Sequence, residues 1–125
     1  MGRPVAGVIF DSCILIDALN GVGDARRLIG TTPKRFVSVV TRIELLTGRG
    51  TAEADRGRRL LQGFDEIGVD TAVAEMAAAL RTQWRLQTPD AIIAATARWQ
   101  GVGLYTRDAG MARLPGALLA CVLLT

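Results

Sequence analysis

The chain has 125 residues, with 15 basic and 12 acidic side chains, a formal net charge of +3 and no histidine. Without histidine it cannot build a Ser-His-Asp or Cys-His catalytic system, nor a histidine-ligated zinc or iron site. Acid–base or metal chemistry in this protein must therefore depend on carboxylates.

The length predicts one domain, residues 1–125, because a chain of this size buries roughly two-thirds of its unfolded surface. The longest apolar run, residues 117–124, is far shorter than the ~20 residues of a membrane helix. Asp11 interrupts the only apolar segment near the N-terminus, so a secretory signal is not expected. Cys13 and Cys121 lie far apart in apolar stretches and are expected to be reduced and buried. We therefore expect a cytosolic protein without membrane contacts.

Hydrophobic periodicity and turn residues predict that strands alternate with helices along the chain. The first half is predicted to contain a strand at 5–10, a helix at 13–19, a short helix at 24–29, a strand at 36–40 and a helix at 41–48. The second half is predicted to contain a helix at 51–62, a weak strand between Gly63 and Gly68, helices at 71–84 and 88–101, a strand at 104–106, a helical turn at 109–113 and a strand at 117–124. This alternation favours an α/β fold in which helices cover both faces of a parallel sheet.

Four acidic residues are predicted at the carboxyl ends of the strands, the edge at which open α/β sheets bind ligands. Asp11 ends the first strand, Glu44 lies in the first turn after the second, and Asp108 lies just beyond the fourth. Asp90 is in the first turn of the helix that leads into the fourth strand, and that helix starts at the same edge. The pattern therefore predicts that four carboxylates converge there.

Each of these acids also has a structural interpretation when taken alone. The spacing Thr41-x-x-Glu44 is that of a helix capping box. Asp90 suits the positive end of a helix dipole, while Asp11 and Asp108 suit a helix cap and a turn. Two charges ~4 Å apart repel by roughly 4 kcal/mol at an effective dielectric near 20. A cluster of four is therefore unfavourable unless a cation is bound.

Mg²⁺ or Mn²⁺ is the cation expected among oxygen ligands, and it would activate water for the hydrolysis of a phosphodiester bond. Arginine accounts for 14 of the 15 basic residues, and its planar guanidinium group suits phosphate. Arg107, Arg56 and Arg59 are the candidates for contact with nucleic acid, although a solvated helix face also explains the last two. Trp84 and Trp99 are interpreted as core or interface residues rather than platforms for base stacking.

These residues resemble the acidic signature of PIN-domain nucleases. The resemblance rests on Asp11-Ser12 after an apolar strand, Glu44 in TRIELL, Asp90 in TPDAIIAATA and Asp108 in LYTRDA. It spans essentially the whole chain in order and spacing, and the short length is similar to that of the toxin subunits of VapBC-type toxin–antitoxin pairs.

The resemblance implies a three-layer α/β/α fold with a five-stranded parallel sheet of order 3-2-1-4-5, and the activity of a Mg²⁺- or Mn²⁺-dependent endoribonuclease. It also implies a homodimer and a cognate antitoxin that blocks the active-site groove. The implied metal-site and catalytic acids are Asp11, Glu44, Asp90 and Asp108, supported by the hydroxyls of Ser12 and Thr106. Cleavage by in-line attack would leave a 5′-phosphate and a 3′-hydroxyl.

Three other α/β interpretations are weaker. A phosphoacceptor receiver needs a lysine near the fifth strand, whereas the only lysine is Lys34. A haloacid-dehalogenase-like phosphatase needs an aspartate where Cys13 stands, and a dinucleotide-binding fold needs a glycine-rich loop after the first strand. A non-catalytic PIN-fold module that binds RNA or another partner stays open as the alternative.

Overall fold

The structure, a computed structural model, describes residues 7–114 and 121–123. The elements of its first half are β1 (Val8–Phe10), α1 (Ser12–Leu19), α2 (Gly23–Thr31), β2 (Arg35–Ser38), α3 (Val39–Leu46) and α4 (Thr51–Leu61). Those of the second half are β3 (Asp65–Ile67), α5 (Thr71–Trp84), α6 (Thr88–Gln100), β4 (Gly103–Thr106), α7 (Ala109–Ala112) and β5 (Cys121–Leu123). Of the strand predicted at 117–124, residues 117–120 and 124 lie outside the described residues, as do residues 5 and 6 of the first strand.

The five strands form one parallel sheet of order β3-β2-β1-β4-β5. Ile9 in the central strand is in register with Phe36 of β2 and Leu104 of β4. The chain runs outward from β1 to one edge through β2 and β3, then returns to the other side through β4 and β5. The predicted α/β class and the strand order 3-2-1-4-5 are confirmed.

Two apolar clusters lie on opposite faces of the sheet, since successive strand residues point to opposite sides. Ile9 and Phe36 belong to the cluster that includes residues of α5, α6 and α7. Phe10 and Val37 belong to the cluster that includes residues of α1, α2 and α4. The result is a three-layer arrangement, and α6 is buried on most of its surface, as its apolar sequence predicts.

The boundary between β2 and α3 differs from the predicted one. The strand ends at Ser38, whose hydroxyl accepts a hydrogen bond from the Val40 N–H at 3.1 Å and caps α3. Val39 and Val40 are therefore helical, although β-branched residues favour strands. The predicted capping box of Thr41 and Glu44 is wrong because a buried serine three residues earlier already caps the helix. Glu44 consequently lies in the second turn of α3 instead of the first.

Smaller differences concern helix ends and Cys13. Gly50 occupies the cap position of α4, and Asp70 caps α5 through the Val73 N–H at 2.9 Å. Cys13 is a free thiol but is only partly buried, contrary to the prediction of full burial. Its burial still raises the pKa of the thiol to about 11, with the charge of Asp11 adding to the effect. The Cys121 side chain lies outside the described residues.

None of the helices in the described ranges has both the length and the apolar character required to span a membrane.

Candidate active site

The carboxyl ends of β1 and β4 form the centre of the candidate site. From β1 the chain continues to β2 on one side of the strand, whereas β4 lies on the other side of β1. The order of the strands therefore reverses between β1 and β4. Such a switch point opens a crevice at the carboxyl edge of a parallel sheet. Asp11 directly follows β1, and Thr106 is the last residue of β4. Both residues are therefore brought to the mouth of this crevice by the sheet itself.

Asp11 is a nearly buried carboxylate, with 5% of the residue exposed. It occupies the cap position of α1, but its side chain does not cap that helix. Instead, Oδ2 accepts a hydrogen bond of 2.6 Å from the Thr106 hydroxyl. Burial raises the pKa of Asp11, the hydrogen bond from Thr106 lowers it, and the charge of Asp108 raises it again. The site therefore holds a carboxylate whose negative charge is only partly compensated by hydrogen bonds.

Thr106 links Asp11 to Asp108. Its fully buried hydroxyl donates to Asp11 and accepts a 3.0 Å hydrogen bond from the Asp108 backbone N–H. The exposed Asp108 side chain accepts from the Gly110 N–H at 2.7 Å and so caps α7. The structural interpretation of Asp108 is thus correct as far as its contacts go, and the same contact fixes the carboxylate beside Asp11.

Ser12 links the start of α1 to α3. Its hydroxyl donates to Glu44 Oε1 at 2.6 Å and lies 2.9 Å from the Thr41 hydroxyl. Ser12 and Thr41 are buried, while Glu44 is exposed at the edge. Thr41 was missed as a site residue by the sequence prediction. Its spacing of three from Glu44 puts both on one face of α3, which is the signal that identifies it.

Asp90 is the acid whose pKa is affected by all three of the other acids. It lies in the first turn of α6 and is partly buried. Its pKa is raised to about 6, first by burial and then by the charges of Asp11, Asp108 and Glu44, in that order. The structure therefore brings the four predicted acids close enough for each of the other three to disfavour the ionised form of Asp90.

The residues at this edge fit a hard divalent cation in their chemistry. They offer carboxylate and hydroxyl oxygens, which are the ligands that Mg²⁺ and Mn²⁺ prefer. A cation would also offset the repulsion that raises the Asp90 pKa. Across residues 7–114 and 121–123, no three acidic or thiol side chains are already arranged to enclose an ion. Binding would therefore require the exposed carboxylates of Glu44 and Asp108 to adjust.

Comparison with known proteins places this arrangement in a family. The family model for the PIN domain matches residues 8–117. This chain belongs to the PIN-domain family. The matched residues include all four acids and every helix and strand from β1 to α7. Among curated proteins, none matches the sequence significantly.

Solved structures similar to this PIN domain include toxin–antitoxin assemblies. A chain of a toxin–antitoxin complex from Klebsiella pneumoniae is 34% identical, with a TM-score of 0.80 over 92% of this chain and 95% of that one. VapBC-5 from Mycobacterium tuberculosis is 25% identical, with a TM-score of 0.68 over 97% and 100% of the two chains. VapBC2 from Rickettsia felis, bound to a DNA fragment from its promoter, shares the fold at 18% identity, with a TM-score of 0.75 over 93% and 97%.

The candidate RNA-binding arginines of this PIN domain are not directed at the acids. Arg107 forms a two-point ion pair with Asp17 of α1, at 2.7 and 3.1 Å. Arg56 donates to the Leu19 carbonyl at 2.6 Å, at the end of α1 that lies about 10 Å from Ser12. Arg59 lines a cavity of about 380 Å³ beside that end of α1. The structure thus places Arg56 and Arg59 on a different surface from the four acids.

The two tryptophans of the PIN domain differ in their surroundings. Trp84, at the end of α5, is partly buried and packs against the core cluster that contains Met111 and Leu114. Trp99 in α6 is 54% exposed. The interpretation as a core residue therefore suits Trp84, while Trp99 is a surface residue.

Proposed function

We propose that this PIN domain is a metal-dependent endoribonuclease and the toxin of a type II toxin–antitoxin pair. The observation that carries the proposal is the Asp90 carboxyl group, whose pKa is raised to about 6 by burial and by three further acids. A protein gains no stability from such a cluster unless a cation is bound to it. The family and its similarity to toxin–antitoxin assemblies support the choice of nuclease chemistry.

In this proposal Asp11, Asp90 and Asp108 hold one or two Mg²⁺ or Mn²⁺ ions. When bound, such an ion polarises a phosphoryl oxygen and lowers the pKa of a water molecule. Thr106 keeps Asp11 and the Asp108 backbone in fixed relative positions through its single hydroxyl. The chain therefore supplies an acidic edge in which one hydroxyl links Asp11 to Asp108, and no histidine is needed.

Glu44 is proposed to orient the attacking water or to bind a metal ion. Ser12 holds its Oε1 atom, which leaves Oε2 as the oxygen able to accept a proton from water. Thr41 fixes Ser12 in turn, at 2.9 Å between the hydroxyl oxygens. In-line attack by this water on RNA would yield a 5′-phosphate and a 3′-hydroxyl.

The decisive experiment compares RNA cleavage by the wild type, Asp11→Asn, Asp90→Asn and Asp24→Asn in Mg²⁺ or Mn²⁺. Asp24 is a matched control because it also lies in the first turn of a helix, α2, but pairs with Arg27 on the surface. Asp11→Asn and Asp90→Asn should cleave RNA at least about a hundredfold more slowly than the wild type, because each loses several kcal/mol of transition-state stabilisation. EDTA should abolish cleavage, and Asp24→Asn should act like the wild type.

Equal cleavage by all four proteins would contradict the nuclease proposal. A complete absence of cleavage, with RNA still bound, would favour the non-catalytic RNA-binding module instead. The toxin role has a separate test: the product of the neighbouring gene should bind the purified protein and inhibit cleavage. Light scattering on the purified protein tests the homodimer that we propose from the family resemblance.

A further inference from the structure

A second cavity borders the acidic edge where the end of α5 meets α7. It has a volume of about 300 Å³ and is lined by Gln83, Trp84, Arg85, Gly110, Arg113 and Leu114. Gly110 also donates its N–H to Asp108, and the segment after Arg85 leads directly into α6, which carries Asp90. The cavity is therefore linked to the proposed catalytic edge through Gly110 and Asp108, and its size is at the lower end of small-ligand pockets.

Trp84 is the aromatic residue of the cavity lining. Its indole Nε1 is buried and has no hydrogen-bond partner among the described residues. Buried N–H groups nearly always have a partner, so this donor is an exception, and a ligand reaches it only when neighbouring side chains move. The other polar side chains of the lining, Gln83, Arg85 and Arg113, are exposed and can move to admit one.

The cavity also carries the positive charge of two arginines. Among the described residues no acidic side chain lines it, and neither Arg85 nor Arg113 forms an ion pair there. By contrast, Arg42 and Arg107 pair with carboxylates. Two guanidinium groups beside one cavity favour an anion, and their planar donors match phosphate.

Arg85 occupies its position at a structural cost. With φ of 55° and ψ of 39° it is the one non-glycine residue with positive φ in the described ranges. The left-handed conformation is unfavourable for any residue with a Cβ atom, and glycine is the usual choice at a helix end of this type. A strained residue at the edge of a site is a sign that its side chain serves a function.

We propose that this cavity binds one nucleotide of single-stranded RNA next to the scissile phosphate. The part of Trp84 that lines the cavity contacts the base, which revises its interpretation as a core or interface residue alone, while Arg85 and Arg113 bind the backbone phosphates. Proteins recognise unpaired RNA by stacking bases on aromatic side chains and by cationic contacts to the backbone. This inference rests on the proposed function, since it names the residues by which that site would hold one nucleotide of its substrate.

The first test measures binding in EDTA, so that no cleavage occurs. The background variant Trp99→Phe leaves Trp84 as the only tryptophan, since the chain has two. A single-stranded oligouridylate or oligoadenylate of about 12 nucleotides should quench the fluorescence of Trp84 in a saturable manner. An RNA duplex of the same length should not, because its bases are already stacked and paired.

Arginine variants then test the phosphate contacts. The double variant Arg85→Gln with Arg113→Gln should raise the Kd for the oligonucleotide about tenfold or more. Arg81→Gln is the matched control: Arg81 is exposed on the same helix, four residues before Arg85, and its loss should change the Kd less than about twofold. Arg85→Gly should weaken binding while raising Tm by about 2–5 °C, because it relieves the left-handed backbone.

Three results would overturn the inference: no binding of the oligonucleotide, binding that leaves the Trp84 fluorescence unchanged, or an effect of the arginine pair no larger than that of Arg81→Gln. Failure of the nuclease proposal has a different signature. In that case the oligonucleotide binds and quenches Trp84 as expected, but no RNA is cleaved in Mg²⁺ or Mn²⁺.

Discussion

Replacing Asp90 by asparagine should stabilise the metal-free protein at neutral and alkaline pH. Asp90 is partly buried, and its pKa of about 6 in the folded chain lies above the ordinary value of 3.8. The folded state therefore binds a proton more tightly than the unfolded state does. By linkage, the native state loses stability as the pH rises from about 4 to above 6, because Asp90 must then ionise beside three other acids.

The magnitude follows from two opposing effects. An increase in the pKa of Asp90 from 3.8 to about 6 corresponds to at most about 3 kcal/mol of destabilisation above pH 7. Partial exposure of the side chain to solvent reduces this destabilisation to about 1–2 kcal/mol. Against it, the dipole of α6 favours an anion in the first turn by about 0.3–1 kcal/mol. The expected net gain for Asp90→Asn is about 1 kcal/mol, or about 3–5 °C in Tm.

The assay is thermal and urea unfolding in EDTA at pH 8 and at pH 5. The gain should be largest at pH 8 and fall to about half at pH 5, where Asp90 of the wild type is mostly protonated. Asp24→Asn is the control, since it removes an aspartate from the first turn of α2 without a cluster of acids nearby. It should leave Tm unchanged or slightly lower at both pH values.

A Tm for Asp90→Asn several degrees below that of the wild type at pH 8 would refute this reasoning. Asp90 would then act mainly by stabilising the start of α6, and the acids would not repel one another appreciably. Addition of Mg²⁺ gives an independent check. Ligand binding stabilises the folded state in proportion to its affinity, so the ion should raise the Tm of the wild type more than that of Asp90→Asn.

Two further predictions concern residues that the fold holds in place. Thr106→Val keeps the shape of the side chain but removes the donor to Asp11. Urea unfolding at pH 8 should show a loss of about 1.5–3 kcal/mol, as for other hydrogen bonds to charged groups, and a loss below about 0.5 kcal/mol would contradict it. Gly101→Ala should cost about 1 kcal/mol because Gly101 ends α6 with φ of 69°. Gly30→Ala, inside α2 with open space at its Cβ, should instead stabilise by about 0.5–1 kcal/mol in the same assay; the same sign for both glycines would contradict the backbone argument.

The α/β class and the positions of the acids were predictable because they depend on local signals. Apolar runs followed by polar residues define where strands end, and parallel strands bring their carboxyl ends to the same edge. Asp11 and Asp108 could therefore be placed at one edge from sequence order alone. The Asp90 position was also predictable, since Thr88 and Pro89 mark the start of its helix.

The end of β2 was not predictable in the same way. Val39 and Val40 have the intrinsic preference of a strand, yet they begin α3 because the buried Ser38 caps it. A local preference of a few tenths of a kcal/mol is smaller than the effect of a helix cap, about 1 kcal/mol. Here the tertiary environment of one hydroxyl decided the boundary.

The sequence by itself determined which chemistry this protein can carry: a basic chain without histidine, in which carboxylates lie at strand ends. Only the tertiary structure decided which side chains are bonded to one another. The hydroxyl of Thr106 reaches Asp11 across 95 positions, Ser12 reaches Glu44 across 32, and Arg107 pairs with Asp17 across 90. Such pairs depend on how helices and strands pack in three dimensions, and periodicity along the chain contains no information about them.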